Sequence, residues 1–283
     1  MGGTGIRSQL AITTAAAVAM VVGYGRRAYA ACVVTASPNY LCSGNITTGQ
    51  TVNVNNATVT TSPGFSVTTS SGEALEITGS GALSFIDSNG SSLSTSDTTN
   101  ITGTGLRIFS SGDIPGTAGS VTVYAGRNTT IVGNALRVGG GIYAINRGSG
   151  TFSLTLNGSA TGTNYDGIIA RNFGTTMAIT LGATSVVQGR SDAMYATNFG
   201  SGAMTITANG ELTGQLVNGM TLRNYGADLT VQAGAGSRIT GYGGIYARNS
   251  GSGALTITTN GSTVGTGKWG IVARNNEIGR AHV

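Results

Sequence analysis

Between residues 141 and 275, apolar and polar positions alternate in short runs, and the runs return at a fixed step. Six blocks of six residues mark the step: GIYAIN at 141–146, GIIARN at 167–172, AMYATN at 193–198, GMTLRN at 219–224, GIYARN at 244–249 and GIVARN at 270–275. Their last members, Asn146, Asn172, Asn198, Asn224, Asn249 and Asn275, lie 26, 26, 26, 25 and 26 residues apart. A self-similar period of roughly 20 to 50 residues marks a solenoid, propeller or array. Inside GIYARN the alternation has period two, so a strand turns Ile245, Ala247 and Asn249 to one face and Tyr246 and Arg248 to the other.

A second alternating run follows each of the first five asparagines: FSLTL at 152–156, MAITL at 177–181, MTITA at 204–208, LTVQA at 229–233 and LTITT at 255–259. A third, shorter run carries one apolar residue ahead of a turn glycine, as Ala160, Val187, Leu212, Ile239 and Val264 before Gly162, Gly189, Gly214, Gly241 and Gly265. Three short strands per step, with turns marked by Gly and by Asn-Gly pairs at Asn157, Asn209 and Asn260, describe one coil of a parallel β-helix. The predicted fold is therefore all-β, a right-handed parallel β-helix of about 26 residues per coil.

Coils that rise by about 4.8 Å, the spacing of paired strands, place equivalent positions directly above one another. An asparagine amide offers two donors and a two-lone-pair acceptor, so the six asparagines are expected to bond along a column and to satisfy groups that a turn would bury. The same register puts Arg171, Arg223, Arg248 and Arg274 in one column, interrupted by Thr197. Like charges so close are unfavourable in a dry site, which predicts a solvent-facing column. Earlier in the chain ALEI at 74–77, GLRI at 105–108 and ALRV at 135–138 read as longer, degenerate coils at steps of 31 and 30. The segments 88–99 and 110–120 read as loops bulging from them.

Composition agrees with a stacked β solenoid: 48 Gly, 3 Pro and 9% charged residues in 283. In the first thirty residues Arg7 precedes an uncharged run at 10–22, and Ala28-Tyr29-Ala30 supplies small residues two apart. This is the layout of a secretory signal peptide cut between Ala30 and Ala31, although Arg26 and Arg27 lie unusually near the cut and a cut after Ala19 is the alternative. Loss of 1–30 removes Arg7, Arg26 and Arg27, leaving 15 − 3 = 12 basic residues against 10 acidic. A net charge of +2 is no footprint for nucleic acid. In an exported chain the only two cysteines, Cys32 and Cys42, are expected to pair and to pin the start of the rod; a metal or redox pair would need partners that the sequence lacks.

The organisation expected is thus a signal peptide at 1–30, a disulfide-closed cap at 31–44, degenerate coils at 45–140 and regular coils at 141–277. The tail at 278–283, IGRAHV, breaks the repeat. Back-translated, it resembles the start of a sequencing adapter, so it reads as non-native and the natural chain is expected to continue past Glu277.

The combination of an AYA signal ending, the cysteine loop CVVTASPNYLCSG at 32–44 and Gly/Thr/Asn-rich coils with GIYARN-type blocks resembles the N-terminal passenger of an autotransporter. These are the type V secretion proteins of Gram-negative bacteria. The resemblance covers residues 1–276; it implies a right-handed β-helix carried across the outer membrane by a C-terminal β-barrel translocator with its assembly machinery, then displayed at the cell surface or released. The sequence departs from the family in having no series of membrane strands at its C-terminal end.

Candidate chemistry is sparse, and neither a cofactor nor a metal centre is called for. Asp166 and Asp192 precede successive blocks, so their carboxylates are expected about 5 Å apart, near the separation used by retaining glycosidases. Both also sit in turns, where aspartate is common, and no neighbouring Lys or His completes a site. The two readings are a structural turn pair and a catalytic or calcium-binding pair, the former favoured. Thr155, Thr180, Thr207 and Thr258 form an outward column with Gln232, beside a second of Ser153, Ala178, Thr205, Thr230 and Thr256; such ladders suit ice-binding solenoids, but the interruptions at Gln232 and Ala178 make this an ordinary polar sheet face. Tyr143, Tyr195 and Tyr246, beside the arginine column, are expected to be exposed and to offer a strip for a glycan or protein ligand.

Overall fold

The computed structural model describes residues 31–98, 103–137 and 139–276. The signal-peptide segment with its Ala30/Ala31 cut, and the tail at 278–283, lie outside the described residues. Every regular element among them is a strand, and the strands stack into a parallel β-solenoid with three faces.

One coil shows how the alternation builds the rod. The strand Phe152–Leu156 belongs to a ten-stranded sheet (sheet 1), Ser159–Gly162 to a nine-stranded sheet (sheet 2) and Asp166–Asn172 to a second nine-stranded sheet (sheet 3). Each strand pairs in parallel with its equivalents in the coils before and after, so the core consists of stacked columns. Phe152 lies over Met177, then Met204, then Leu229; Leu154 lies over Ile179, Ile206 and Val231. All of these are buried, and each such side chain contributes about 1.5–3 kcal/mol by leaving water. On sheet 3 the inward columns alternate large and small, Ile142, Ile168 and Met194 beside Ala144, Ala170 and Ala196, which fits a core only one residue deep on each wall.

The asparagine column stands in register, Asn146 to Asn172, Asn198, Asn224, Asn249 and Asn275. Nδ2 of Asn146 donates to Oδ1 of Asn172 at 2.9 Å, and the same bond at 2.9 Å joins Asn172 to Asn198, Asn198 to Asn224 and Asn224 to Asn249. The second Nδ2 donor closes the turn of its own coil, as from Asn198 to the Gly202 carbonyl at 2.9 Å. Oδ1 also accepts from the backbone two residues on, as from the Gly200 N–H at 3.2 Å. That turn requires glycine, because a Cβ on Gly200 would collide with the carbonyl oxygen of Gly174 in the preceding coil.

The rod begins with an antiparallel hairpin, Ala31–Ala36 with Asn39–Ser43, in which Cys32 faces Cys42. The two are joined by a disulfide, with Cα atoms 3.9 Å apart. Cys42 is fully buried and Cys32 packs on the core, so the bridge lies across the end of the hydrophobic columns.

Three details of the earlier coils and one of the last differ from the periodic expectation. The first described coil step is regular, since Val52 pairs with Ile77 and 77 − 52 = 25. Leu75 and Leu106 do pair, but the next strand in that column is Gly140–Asn146, with Leu106 opposite Ile142, so ALRV at 135–138 is no ladder strand. Leu136 there is exposed in a bend, part of the corner between the strands Thr130–Gly133 and Gly140–Asn146. The segment 88–99 is not a bulge either, because Ser92–Thr95 is a full member of sheet 2, whereas 111–119 does loop out between strands. On the last coil Gly265 pairs with Gly241, which places Thr263, not Val264, below Ile239; Val264 points outward and is 42% exposed.

The Asn198 side chain makes four hydrogen bonds, so Asn198→Ala removes a partner from Asn172 Nδ2, Asn224 Oδ1, the Gly200 N–H and the Gly202 carbonyl. We predict a loss of about 3–5 kcal/mol in urea denaturation for Asn198→Ala. Asn275→Ala, at the exposed end of the column, is expected to change stability by less than about 0.5 kcal/mol. Equal effects at the two positions would show that the column contributes nothing through its inter-coil bonds.

Candidate functional site

Two places on the rod carry the chemistry that the sequence singled out: the corner between sheets 2 and 3, and the outward side of sheet 3.

At the corner, Asp166 opens the strand Asp166–Asn172 and Asp192 sits two residues before the strand Met194–Asn198. Stacking brings them onto adjacent coils, both buried. Each carboxylate serves the backbone of the next coil: Asp166 Oδ1 accepts from the Asp192 N–H at 2.9 Å, and Asp192 Oδ1 accepts from the Asn218 N–H at 2.8 Å. Asp192 Oδ1 also accepts from Thr221 Oγ1 at 3.0 Å, and that hydroxyl accepts in turn from Asn218 Nδ2 at 2.7 Å. This is a second, shorter ladder, which ends where Asn218 and Gly243 replace the acids. Burial raises the Asp166 carboxyl above its ordinary value, against the hydrogen bonds it accepts. Burial, with the Asp166 charge next to it, pushes Asp192 up to about 6. Among the described residues no group of three or more His, Cys, Asp or Glu is placed to hold a metal ion.

The outward side of sheet 3 carries two parallel columns. One holds Tyr143, Ile169, Tyr195, Thr221 and Tyr246, and the other holds Ile145, Arg171, Thr197, Arg223 and Arg248. Arg274 continues the second. The tyrosines are half-buried rather than exposed; over two of them lies an arginine, the Arg223 guanidinium 5.6 Å from the Tyr195 ring centroid and that of Arg274 5.8 Å from Tyr246. Arg171, Arg223 and Arg248 are themselves half-buried, and Thr197 between them is buried. The threonine columns of sheet 1 stack as the spacing implies, Thr155 with Thr180, Thr207, Gln232 and Thr258.

Two features escaped the sequence reading. Phe173, Phe199 and Tyr225 follow three successive ladder asparagines and stack at the corner, with ring centroids 4.8 and 5.3 Å apart and interplanar angles of 16° and 6°. They are 44%, 47% and 43% exposed. The signal was present as Asn-Phe-Gly, Asn-Phe-Gly and Asn-Tyr-Gly at a fixed step. Asp87, an acid at an inward position of the strand Ala82–Asp87, was the other. Burial alone would raise its carboxyl, but Thr61, Thr129, Ser91 and Asn89 all donate to it and hold it below its ordinary value.

Comparison with protein-family models, with curated proteins and with solved structures returned no match to this chain.

The raised carboxyl of Asp192 has a defined consequence for stability. Its folded value, about 6, lies above the ordinary 3.8, so between these limits the folded state holds more protons and stability falls as pH rises. Below about pH 4 this contribution is complete; above about pH 6 it is gone. Asp192→Asn keeps the Oδ1 acceptor without the charge, and is expected to raise stability by about 1–3 kcal/mol at pH 7.5 and by much less at pH 4. Denaturation curves at the two pH values check this, and a gain independent of pH would refute it.

Proposed function

We propose that this chain is the exported, rod-shaped passenger of an autotransporter, displayed at or released from the surface of a Gram-negative bacterium, with a structural or adhesive role. On this reading residues 1–30 direct export, and a β-barrel translocator with its assembly machinery carries the rod across the outer membrane. The single observation that carries it is the solenoid's outward decoration. Tyrosines and arginines are concentrated on one flat face with a stacked aromatic ridge at its edge, the kind of surface that binds an extended partner. The disulfide-closed hairpin at the rod's start also suits an oxidising destination.

A second reading, a secreted β-helical enzyme that cleaves polysaccharide with Asp166 and Asp192, draws support from the raised Asp192 carboxyl. Weighing against it, both acids are buried and each accepts a backbone N–H from the next coil, which is what a structural corner needs.

In the native strain, antibody raised against the rod is expected to label intact cells, and the reading frame is expected to encode a transmembrane β-barrel beyond the rod. Protein confined to the periplasm would overturn the display reading. The enzyme reading is checked with the Asp166→Asn/Asp192→Asn double variant in assays of uronan and neutral-glycan cleavage: cleavage by the parent chain that the variant loses would favour the enzyme, and no cleavage by either favours the passenger.

A further inference from the structure

We propose that the outward side of sheet 3, from Arg171 to Arg274, is a binding strip for a linear polyuronate, a polysaccharide with one carboxylate on each ring, lying parallel to the rod axis. The inference rests on the adhesive reading above and gives its ligand a chemical class.

Charge on this face has one sign. In the strands from Gly140 to Asn275 the outward positions of sheet 3 hold Arg171, Arg223, Arg248 and Arg274 and no acid. The nearby acids are Asp166 and Asp192, buried at the corner and engaged with backbone amides, and Asp228, exposed beyond Tyr225 at the ridge, whose Oδ1 accepts from the Ala254 N–H at 2.7 Å. None of these four arginines forms an ion pair among the described residues; the ion pair there joins Arg107 to Glu76, nearer the start of the rod. Arg171 and Arg223 feel the buried Asp166 and Asp192 charges only at longer range, and an external polyanion would offset the remaining repulsion.

Polar valences on the strip are also unspent. Arg248 Nε and Ser250 Oγ, two residues apart on one coil, are buried atoms with no hydrogen-bond partner, and so is Thr197 Oγ1 in the arginine column.

Spacing selects among anions. The column offers one position per coil, about 4.8 Å apart, and spans about 19 Å over the four steps from Arg171 to Arg274. An extended acidic peptide repeats its same-side carboxylates at about 6.8 Å and falls out of step within two coils. Single-stranded nucleic acid binds by stacking bases on free ring faces. Here Phe173, Phe199 and Tyr225 are stacked on one another, and Tyr195 and Tyr246 have arginines over them. What the ridge does present is a row of C–H ring edges, which suits the apolar side of sugar rings. A heavily sulfated polymer carries more than one charge per ring and would leave anions unmatched on a face with at most one cation per coil, on the consecutive coils of Arg223, Arg248 and Arg274, and none at Thr197. A carboxylate takes two parallel N–H bonds from a guanidinium, the geometry this column can offer ring by ring.

The test is calorimetric titration of the full chain with polygalacturonate, its methyl ester, a heavily sulfated glycan and single-stranded DNA. The expected result is binding of polygalacturonate that weakens with salt, loss of binding to the ester, and weaker binding of the other two. Arg223→Gln and Arg248→Gln are each expected to weaken polygalacturonate binding about tenfold, while Arg238→Gln on sheet 2 leaves it unchanged. Circular dichroism and melting curves separate lost binding from lost fold. A Phe199→Ala variant, altering only the exposed ridge, gives an independent reading and is also expected to weaken binding. No binding, tighter binding of sulfated glycan or DNA, or binding indifferent to the two arginines would overturn the inference. Because purified chain is used, these outcomes are independent of whether the rod is displayed on cells: display without polyuronate binding sinks the inference alone.

Discussion

The rest of the structure depends on the vertical bond between side-chain amides. Asparagine alone at this corner has enough valences to close its own turn and still reach its neighbour: one Nδ2 hydrogen goes to a carbonyl of its own coil, the other to the next asparagine, and Oδ1 accepts both a turn N–H and the previous amide. Aspartate would lose both donors, serine would reach too few partners and glutamine would overshoot the turn. Such a chain of amides is cooperative in a buried setting, each bond polarising the next, and it fixes which residue sits over which. Once one corner is pinned, the other corners can vary. The single 25-residue step of the asparagine column is absorbed where Tyr242 alone joins the strand Arg238–Gly241 to Gly243–Asn249, and the stacking of strands on both sides is undisturbed.

Fixed register has consequences on both surfaces of the wall. Inward it aligns apolar columns. Outward it forces identical side chains to within one coil rise, whatever their charge. At the sheet 2–sheet 3 corner this brings two carboxylates together, and the cost appears as the upward shift of Asp192. On sheet 3 it brings arginines together, and the strain is relieved differently, by stems lying across aromatic rings and by guanidinium heads that remain outward. The acids are partnered by backbone amides, whereas the arginines form no ion pair among the described residues, Arg171 and Arg223 acting on the buried acids only at longer range. That asymmetry is why the corner reads as structure and the face as an interaction surface.

The sequence shows the regular coils because the device that holds them is itself periodic. A conserved step and a fixed terminal residue make Asn146 to Asn275 visible, and with them the columns that follow in register. The pairing of Cys32 with Cys42 was equally legible from an exported context. Exposure was not legible, since whether Tyr195 is bare or covered depends on how an arginine one coil away lies, which no linear pattern encodes. Leu75 and Leu106 pair at the expected step, but the next coil and the segment 88–99 were misread for a simple reason. Gly79 and Ser110 occupy the ladder position there, so the step loses its marker, and the alternating run that includes Leu136 imitates a strand where the chain makes a bend.

Without the amide column, those early coils need other means of holding register, and they use several that occur once each. Asp87 accepts from Thr61 in the coil before it and from Thr129 in the coil after, tying three coils through one carboxylate. Asn55 and Asn56 accept from the backbone of Ser80 and Ala82, and Asp97 accepts from Gly72. The disulfide hairpin closes the end. Apart from the disulfide, each is a side-chain acceptor that takes a hydrogen bond across a coil boundary, buried or half-buried except at the exposed Asn55, and a different residue serves every time. In a solenoid, where each coil contacts only its neighbours, nothing demands that successive interfaces use the same solution. Degeneracy of the sequence there reflects a change of device at each interface, with the stacking geometry itself unchanged.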